Sequence, residues 1–315
     1  MTSNPHILIV GHVGQVGLEL QRSFAGFGPV TAVDRESVDL ADADQTRDLV
    51  RSTQPDIILN AAAYTAVDRA ESEPAVAHAI NAQAPRILAE EALRRNTLLV
   101  HYSTDYVFNG SKPEPWLETD EPAPLNVYGQ TKLDGEQAIQ QVGGRYLIFR
   151  TSWVYGPHGN NFLLTMLRLA CERSSLSIVD DQFGSPTTSI ELAQATFTIV
   201  EGILAGRFGA PRDWAGLYHM TCADSTTWFG FAQAIFARAA AQLGVNSPAL
   251  APLATKDYPT PAQRPRNSVL SNAKLLSRFG VRLSPWQSAL DAVFQALVSD
   301  NVAPPGPTQT PSTQK

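Results

Sequence analysis

The stretch His6-Ile-Leu-Ile-Val10, followed by Gly11-His-Val-Gly14-Gln-Val-Gly17, decides the fold class of this chain. The apolar, β-branched run predicts a strand that is buried on both faces of a parallel sheet. The glycine-rich segment predicts a sharp turn into a helix, because glycine lets the backbone turn tightly and approach a ligand closely. Such a turn between a strand and a helix is typical of dinucleotide-binding folds.

Strands and helices alternate along the rest of the first half. Further strands are predicted at residues 30–33, 57–59, 98–102 and 145–150, and helices at 18–24, 44–53, 74–95 and 128–141, with two later helices at 161–171 and 227–243. This alternation predicts an α/β fold with a Rossmann-like, doubly wound parallel sheet and helices on both faces.

The pattern becomes less regular after Trp153. We expect a dinucleotide-binding Rossmann domain over residues 1–155, to which later segments return, and a smaller C-terminal lobe over residues 156–300 that mainly binds substrate. The proline-rich segment 248–265 is predicted to form loops over a ligand cleft. Residues 301–315 hold four prolines and no aromatic residue, which predicts a disordered tail.

Composition excludes several classes of protein. The 24 Lys and Arg residues against 30 Asp and Glu give a net charge of −6, which argues against a nucleic-acid-binding protein. No stretch approaches the roughly 20 apolar residues that cross a bilayer, and the first residues do not resemble a secretory signal. Cys171 and Cys222 are too few for a disulfide framework or a zinc cluster. We therefore expect a cytoplasmic protein that binds neither nucleic acid nor membrane.

The glycine turn and the end of the second strand form the predicted cofactor site. Gly11, Gly14 and Gly17 would place a pyrophosphate at the N-terminus of the first helix. Asp34 follows the second strand and could accept hydrogen bonds from the adenosine ribose, which favours NADH. Arg35 could instead meet the 2′-phosphate of NADPH. The sequence leaves both cofactors open.

Two further segments are expected beside the cofactor. Asp39-Leu40 could border the adenine, and the small residues of Asn60-Ala-Ala-Ala63 would let the backbone lie against a cofactor ribose.

The predicted chemistry centres on Tyr128-Gly-Gln-Thr-Lys132, where a phenol and an ammonium lie four residues apart and so share one helix face. We expect the ammonium to lower the pKa of the phenol, which is near 10 when unperturbed. Tyr128 could then protonate the oxygen of a carbonyl that receives a hydride. A hydroxyl from Ser103 or Thr104, at the end of a predicted strand, could polarise that carbonyl. The pattern predicts a ketone reductase.

Taken together, these motifs resemble the extended short-chain dehydrogenase/reductase superfamily, and more narrowly the dTDP-4-dehydrorhamnose reductase family. The matching stretches within residues 6–290 are 60–74, 101–108, 116–120, 124–133, 149–156, 159–162, 181–187, 216–219 and 258–270. The resemblance implies that NADPH or NADH reduces the C4 ketone of dTDP-4-dehydro-6-deoxy-L-mannose to dTDP-L-rhamnose, a sugar donor for lipopolysaccharide biosynthesis.

The resemblance also implies roles for individual residues. The catalytic set is Thr104, rather than Ser103, with Tyr128 and Lys132. The cofactor contacts are Gly11, Gly14, Gln15, Val16, Gly17, Asp34, Asp39, Leu40, Ala63, Tyr64, Thr65, Tyr102, Tyr128 and Lys132. The substrate contacts are Val67 and Trp153 as walls of the sugar site, Thr104, Asp105 and Tyr106 beside the sugar, and Asn161, Arg264 and Arg266 near the nucleotide diphosphate.

Some relatives form dimers around Mg²⁺ through acidic side chains. Glu19 and Glu191 could fill two such places in a homodimer, but the sequence predicts no complete metal site.

Three other functions of related proteins compete with this one. An epimerase, or another nucleotide-sugar reductase of the extended family, uses the same Tyr/Lys pair. A 4,6-dehydratase is disfavoured because Asp105 is followed by Tyr106 rather than by a second carboxylate. A non-catalytic NADP-binding regulatory subunit is disfavoured because Thr104, Tyr128 and Lys132 are all present.

Overall fold

The computed structural model describes residues 4–299. The strands are β1 (Ile7–Val10), β2 (Val30–Val33), β3 (Ile57–Asn60), β4 (Leu98–Thr104), β5 (Tyr146–Thr151), β6 (Val154–Tyr155), β7 (Ser175–Val179), β8 (Phe183–Gly184), β9 (Thr187–Thr188), β10 (Gly216–His219), β11 (Thr226–Thr227) and β12 (Ala249–Leu253). The helices are α1 (Gln15–Ser23), α2 (Ala43–Thr53), α3 (Val67–Ala70), α4 (Pro74–His78), α5 (Ala84–Arg95), α6 (Val127–Val142), α7 (Phe162–Glu172), α8 (Ser189–Leu204), α9 (Pro211–Trp214), α10 (Trp228–Leu243), α11 (Ala273–Phe279) and α12 (Trp286–Ser299). Shorter turns are a π-helix at Ala79–Gln83 and 3₁₀ helices at Asp105–Val107 and Thr255–Asp257.

A six-stranded sheet in the order β2–β1–β3–β4–β5–β10 forms the centre of the fold, and all its strands are parallel. The apolar run of β1 serves both faces of this sheet. Ile7 and Ile9 pack in the same core as residues of α1 and α8, and Leu8 and Val10 pack with residues of α2 and α5. The predicted Rossmann-like, doubly wound fold is confirmed.

The predicted 74–95 helix is continuous, with the π-helical turn joining α4 to α5. The prediction that residues 248–265 form only loops is wrong, because this segment includes β12, which pairs in parallel with β7. Pro252 is tolerated there because the two strands form a separate two-stranded sheet, in which an edge position needs no ladder N–H. The predicted tail at 301–315 lies outside the described residues.

The segments after residue 155 pack with the sheet. β10 extends the sheet beside β5, and α8 packs against α1. Buried side chains of α7, α10 and α12 belong to the same apolar cluster as Ile7 and Ile9. Within residues 4–299, no helix combines the length and the apolar character needed to span a bilayer.

Helix α6 lies very close to its neighbours because two of its residues have no side chain. A Cβ atom on Gly129 would lie 2.2 Å from the carbonyl oxygen of Tyr106, and one on Gly135 would lie 2.1 Å from that of Asn81 in the π-helical turn. Real Cβ atoms essentially never come within 3.0 Å of such an atom. The two glycines therefore set the approach of α6 to the end of β4 and to the π-helical turn.

We predict that Gly135→Ala destabilises the protein. Replacing a helical glycine by alanine ordinarily stabilises by about 1 kcal/mol. Here the added methyl group would push α6 from the π-helical turn, at a cost of about 1–3 kcal/mol. Equilibrium urea unfolding measures the change. Gln137→Ala, on the exposed face of the same helix, should stay within about 0.5 kcal/mol of the unchanged protein. A Gly135→Ala protein as stable as the parent would refute the close approach.

Candidate active site

The glycine turn after β1 leaves the start of α1 open. Gly11 has a φ of +86°, and a Cβ atom on Gly17 would lie 2.1 Å from the Gly11 carbonyl oxygen, so the turn packs directly on the helix. Gly14 is exposed and caps α1 without any side-chain hydrogen bond, and the first turn holds no acidic residue. Free N–H groups and the positive end of the helix dipole are the features that bind a pyrophosphate.

Asp34 and Arg35 follow β2 at the same edge of the sheet. The Asp34 carboxylate accepts hydrogen bonds from the Glu36 N–H (3.0 Å) and the Ser37 hydroxyl (3.3 Å), and it lies 3.7 Å from the His12 ring. Burial acts to raise the pKa of Asp34, but these hydrogen bonds outweigh it and lower the pKa. Asp34 is therefore an ionised acceptor, whereas Arg35 is exposed and makes no side-chain hydrogen bond to a described residue.

Hydrogen bonds from Asn81, in the π-helical turn, hold the loop after β3 in place. The Asn81 amide accepts from the Tyr64 N–H (2.8 Å), donates to the Tyr64 carbonyl (3.2 Å) and donates to the Thr131 hydroxyl on α6 (3.1 Å). The Tyr64 phenol donates to Glu73 (2.6 Å). Ala63 and Tyr64 are half-buried and Thr65 is exposed. Asn81 thus ties the predicted cofactor loop to the helix that carries Tyr128 and Lys132, a role that no sequence motif indicated.

Tyr102 was predicted beside the cofactor, but its side chain points into the core. Its hydroxyl lies 2.7 Å from the Thr196 hydroxyl, and its ring packs near Phe149. Any contact between Tyr102 and a cofactor is therefore limited to its main chain. The Tyr102 carbonyl accepts a hydrogen bond of 2.6 Å from the Lys132 ammonium.

Thr104, Tyr128 and Lys132 come together where α6 crosses the end of β4. The Tyr128 ring packs edge-on against Tyr106, with ring centres 5.8 Å apart. Burial raises the pKa of Tyr128 to about 12, although the neighbouring Thr104 hydroxyl opposes this. The Lys132 amine points at the Tyr102 carbonyl and at the His101 ring, 3.3 Å away. The expected lowering of the Tyr128 pKa is wrong for this geometry, because burial dominates and the amine faces β4.

Lys132 is almost completely buried, and burial lowers its pKa to about 8 while Glu136 acts in the opposite direction. Glu136, one helical turn further along α6, forms two hydrogen bonds with Arg150 on β5, of 2.8 and 2.6 Å. The Ser103 hydroxyl donates to the same carboxylate. All three side chains are buried, so Ser103 has a structural partner and Thr104 is the hydroxyl left beside Tyr128. The i+4 spacing of Lys132 and Glu136 was the one feature of the sequence that could have indicated the Glu136–Arg150 pair.

Asp105 lies behind Thr104 rather than in an open cleft. It is buried and accepts hydrogen bonds from the Thr104 hydroxyl (3.0 Å) and the Ser152 hydroxyl (2.9 Å). Burial raises its pKa to about 6, against the effect of these hydroxyls. The Thr104 oxygen also accepts from the Tyr106 N–H (3.2 Å). Asp105 therefore orients Thr104.

Trp153 is held in an unusual conformation. Its φ of +47° lies in the left-handed region, which costs a non-glycine residue energy and often marks a functional site. Its ring stacks on Trp228 with centres 3.6 Å apart, and a Cβ atom on Gly184 would lie 2.4 Å from it. Val67, the other predicted wall, is half-buried at the start of α3. No sequence motif indicated Trp228.

The two predicted phosphate-binding arginines differ. Arg264 forms two hydrogen bonds with Asp68 of α3, of 3.0 and 2.8 Å, and donates to the Thr260 hydroxyl. Arg266 is exposed, with no side-chain hydrogen bond to a described residue. Asn161 caps α7 and donates to the Gln15 side chain (3.0 Å), so it links α7 to the cofactor turn.

The remaining predicted residues are Val16, half-buried at the start of α1, and Asp39 and Leu40 after β2. Glu19 pairs with Arg22 (2.9 Å), and Glu191 accepts from the Ser284 N–H (2.7 Å). Within residues 4–299, no group of three or more His, Cys, Asp or Glu side chains is arranged to hold a metal ion.

A doubly wound parallel sheet, a glycine turn into an uncapped helix, and a Tyr/Lys pair at the end of β4 define an extended short-chain dehydrogenase/reductase. Within that class, the chain belongs to the RmlD substrate binding domain family, whose profile matches residues 5–299.

Individual relatives agree with this assignment. The dTDP-4-dehydrorhamnose reductases of Burkholderia thailandensis and Escherichia coli K12 are each 46% identical to this chain; each match covers 93% of it, and 99% and 98% of the respective relative. A crystal structure of the Bacillus anthracis dTDP-4-dehydrorhamnose reductase in complex with NADP is 34% identical, with a TM-score of 0.84, covering 93% of this chain and 100% of that one.

Proposed function

We propose that this chain is an NAD(P)H-dependent oxidoreductase that reduces the C4 ketone of dTDP-4-dehydro-6-deoxy-L-mannose to dTDP-L-rhamnose. The observation that carries the proposal is the meeting of Thr104, Tyr128 and Lys132 at the carboxyl end of β4, the edge at which parallel sheets bind ligands. Relatives named dTDP-4-dehydrorhamnose reductase, which match this chain over almost their whole length, support the choice of substrate.

The residues present fit a dinucleotide. The uncapped start of α1 and the exposed Gly14 backbone would hold the pyrophosphate, with Gln15 and Val16 in the first turn. Asp34 and the loop at 63–65 would lie along the ribose groups. The bound nicotinamide supplies the hydride. Tyr128 and Lys132 would lie at its reactive end.

The protein's own part in the reaction is to hold the ketone and to deliver a proton. Tyr128 would contact the C4 oxygen, and Thr104 would contact it as well once its hydroxyl proton turns from Asp105 to that oxygen. A phenol with a pKa of about 12 is fully protonated at neutral pH, which is the form that an acid needs in the direction of reduction. The proton passes from the Tyr128 hydroxyl to the C4 oxygen. The Lys132 ammonium, one helical turn along α6, would offset part of the negative charge that remains on the phenolate.

The substrate contacts follow from the free groups. Val67 and the Trp153–Trp228 stack would form walls of the sugar site. This places the sugar at the border between the Rossmann domain and the 156–300 lobe. Arg266 is the arginine available for the diphosphate, whereas Arg264 would act by fixing α3 through Asp68. Asn161 would act on the cofactor turn through Gln15.

NADPH gains support from the exposed Arg35, which could pair with a 2′-phosphate, and from the NADP in the Bacillus anthracis relative. The ionised Asp34 keeps NADH open. A homodimer, Mg²⁺ at Glu19 or Glu191, and a cytoplasmic location remain predictions.

The proposal is tested by mixing the protein with dTDP-4-dehydro-6-deoxy-L-mannose and following the absorbance of the reduced cofactor. We expect oxidation of NADPH or NADH only when the 4-keto dTDP sugar is present, with dTDP-L-rhamnose as the product. Parallel runs compare the two cofactors. Conversion of the sugar without net oxidation would indicate an epimerase, and cofactor binding without turnover would indicate a regulatory subunit.

Tyr128→Phe should remove the proton donor and keep the ring. We expect kcat to fall by about 10² to 10⁴, the range typical of an acid/base group, while the Kd of the reduced cofactor changes little. Steady-state kinetics and fluorescence titration measure the two quantities. Turnover close to that of the unchanged protein would refute the assigned role.

The rate should also decline at high pH. Burial lowers the pKa of Lys132, so the ammonium is present below about pH 8 and is lost above it. We therefore expect kcat to fall as pH rises through about 8. A pH profile of kcat in the presence of saturating substrate measures this limb. A rate that stays constant to pH 10 would show that the charge of Lys132 is not required.

A further inference from the structure

The Lys132 amine is held by a histidine as well as by the main chain. His101, on β4, is completely buried, and its Nε2 atom lies 3.3 Å from the Lys132 Nζ atom. The Nδ1 atom of the same ring lies 3.0 Å from the Nδ2 atom of Asn60 at the end of β3, and the Oδ1 atom of that amide accepts a hydrogen bond from the Ala62 N–H (3.3 Å). Together with the Tyr102 carbonyl, these groups form a buried chain from β3 through β4 to α6.

The hydrogen-bonding capacities of these groups set the charge and the tautomer of the His101 ring. An ammonium can only donate hydrogen bonds, so Nε2 must offer its lone pair and the ring must be neutral, with its proton on Nδ1. Burial and the nearby Lys132 both lower the pKa of His101 well below its usual value, which keeps the ring neutral. With Lys132 as an ammonium, the Asn60 amide would turn so that its oxygen accepts from Nδ1, which replaces the longer hydrogen bond of that oxygen with the Ala62 N–H (3.3 Å).

Few other groups compete for the amine. The charged side chains near it are Glu136, on its own helix, and Arg150 on β5, which is paired with that carboxylate. Asn60 on β3 and the Tyr102 carbonyl on β4 are uncharged. His101 is thus the side chain within hydrogen-bond distance of the amine, at 3.3 Å.

We propose that His101 is a positioning residue, whose Nε2 atom accepts a hydrogen bond from the Lys132 ammonium, keeps it charged despite burial and holds it against β4, one helical turn from Tyr128. The effect on turnover rests on the proposed function, but the hydrogen bond and its effect on the charge of Lys132 do not. A ring that only filled space could be replaced by an apolar side chain without changing the titration of Lys132.

The titration of Lys132 can be measured directly. The chain holds five lysines, so a spectrum of protein labelled with ¹³C at lysine Cε contains few signals. The Lys132 signal is the one missing from the Lys132→Arg protein. In His101→Leu the ammonium loses its acceptor but stays buried, so we expect its titration midpoint to fall by about one pH unit from that of the unchanged protein.

Two variants control for the loss of packing. His101→Gln keeps an acceptor oxygen, so its midpoint should stay close to that of the unchanged protein. His219→Leu removes an equally buried histidine from β10, outside the site, and should leave the midpoint unchanged. A folded His101→Leu protein with an unchanged midpoint would overturn the proposal. If that variant does not fold, His101→Gln decides alone, because a lowered midpoint there would contradict the role of the acceptor.

The same variants should move the basic limb of the kcat profile. In His101→Leu we expect the limb to shift to lower pH with the Lys132 midpoint, and kcat to fall about tenfold or more because the amine is no longer directed. If the unchanged protein does not reduce the 4-keto sugar, the proposed function fails while the spectroscopic result stands. If it does reduce the sugar and the midpoint does not move, only the role of His101 fails.

Discussion

The distance between helix α6 and the end of strand β4 is the constraint on which the site depends. Gly129 permits this close approach, since a side chain there would overlap the Tyr106 carbonyl oxygen, and Gly135 permits the same approach of α6 to the π-helical turn at Asn81. The buried Glu136–Arg150 pair then fixes the helix along its axis. An ion pair of this kind is strongly destabilised when one partner is removed, because the other charge is left buried. The pair therefore fixes the positions of Tyr128 and Lys132 along the axis of α6 relative to β4.

Burial acts in opposite directions on the two reacting side chains, and both effects suit reduction. Desolvation disfavours the charged form of each group. It keeps the Tyr128 phenol protonated, as a proton donor must be, and it brings the pKa of Lys132 down to about 8, so that its charge depends on the acceptors around it. The Tyr102 carbonyl is one such acceptor, and the His101 ring, 3.3 Å from the amine, is the second that we propose. The environment of the pair, more than the pair itself, sets its chemistry.

The sequence predicts most of the fold because its signals are local. The apolar run of β1, the glycine turn and the i+4 spacing of Tyr128 and Lys132 each depend on a few adjacent residues. The partners of these residues come from distant segments and leave no such pattern. Asn81 reaches Tyr64 and Thr131, and Trp228 stacks on Trp153, only because the chain is folded. The direction of the Tyr128 pKa was mispredicted for the same reason, since spacing shows a neighbouring charge but not the depth of burial.

β12 illustrates a second limit of prediction from the sequence. Its proline and exposed residues resemble a loop, and it forms a strand because β7 offers an edge on which the missing N–H is not needed. Arg264 illustrates a third limit. Its place in the sequence indicates a guanidinium near the diphosphate, but it does not reveal the Asp68 carboxylate with which that guanidinium pairs in the structure.

The most direct test is a crystal structure of the protein with oxidised cofactor and dTDP-L-rhamnose. We expect the Tyr128 and Thr104 hydroxyls both to lie within about 3 Å of the C4 oxygen of the sugar, with the nicotinamide about 3–3.5 Å from the C4 carbon. A Tyr128 phenol turned away from that oxygen, in a site that holds both ligands, would contradict it.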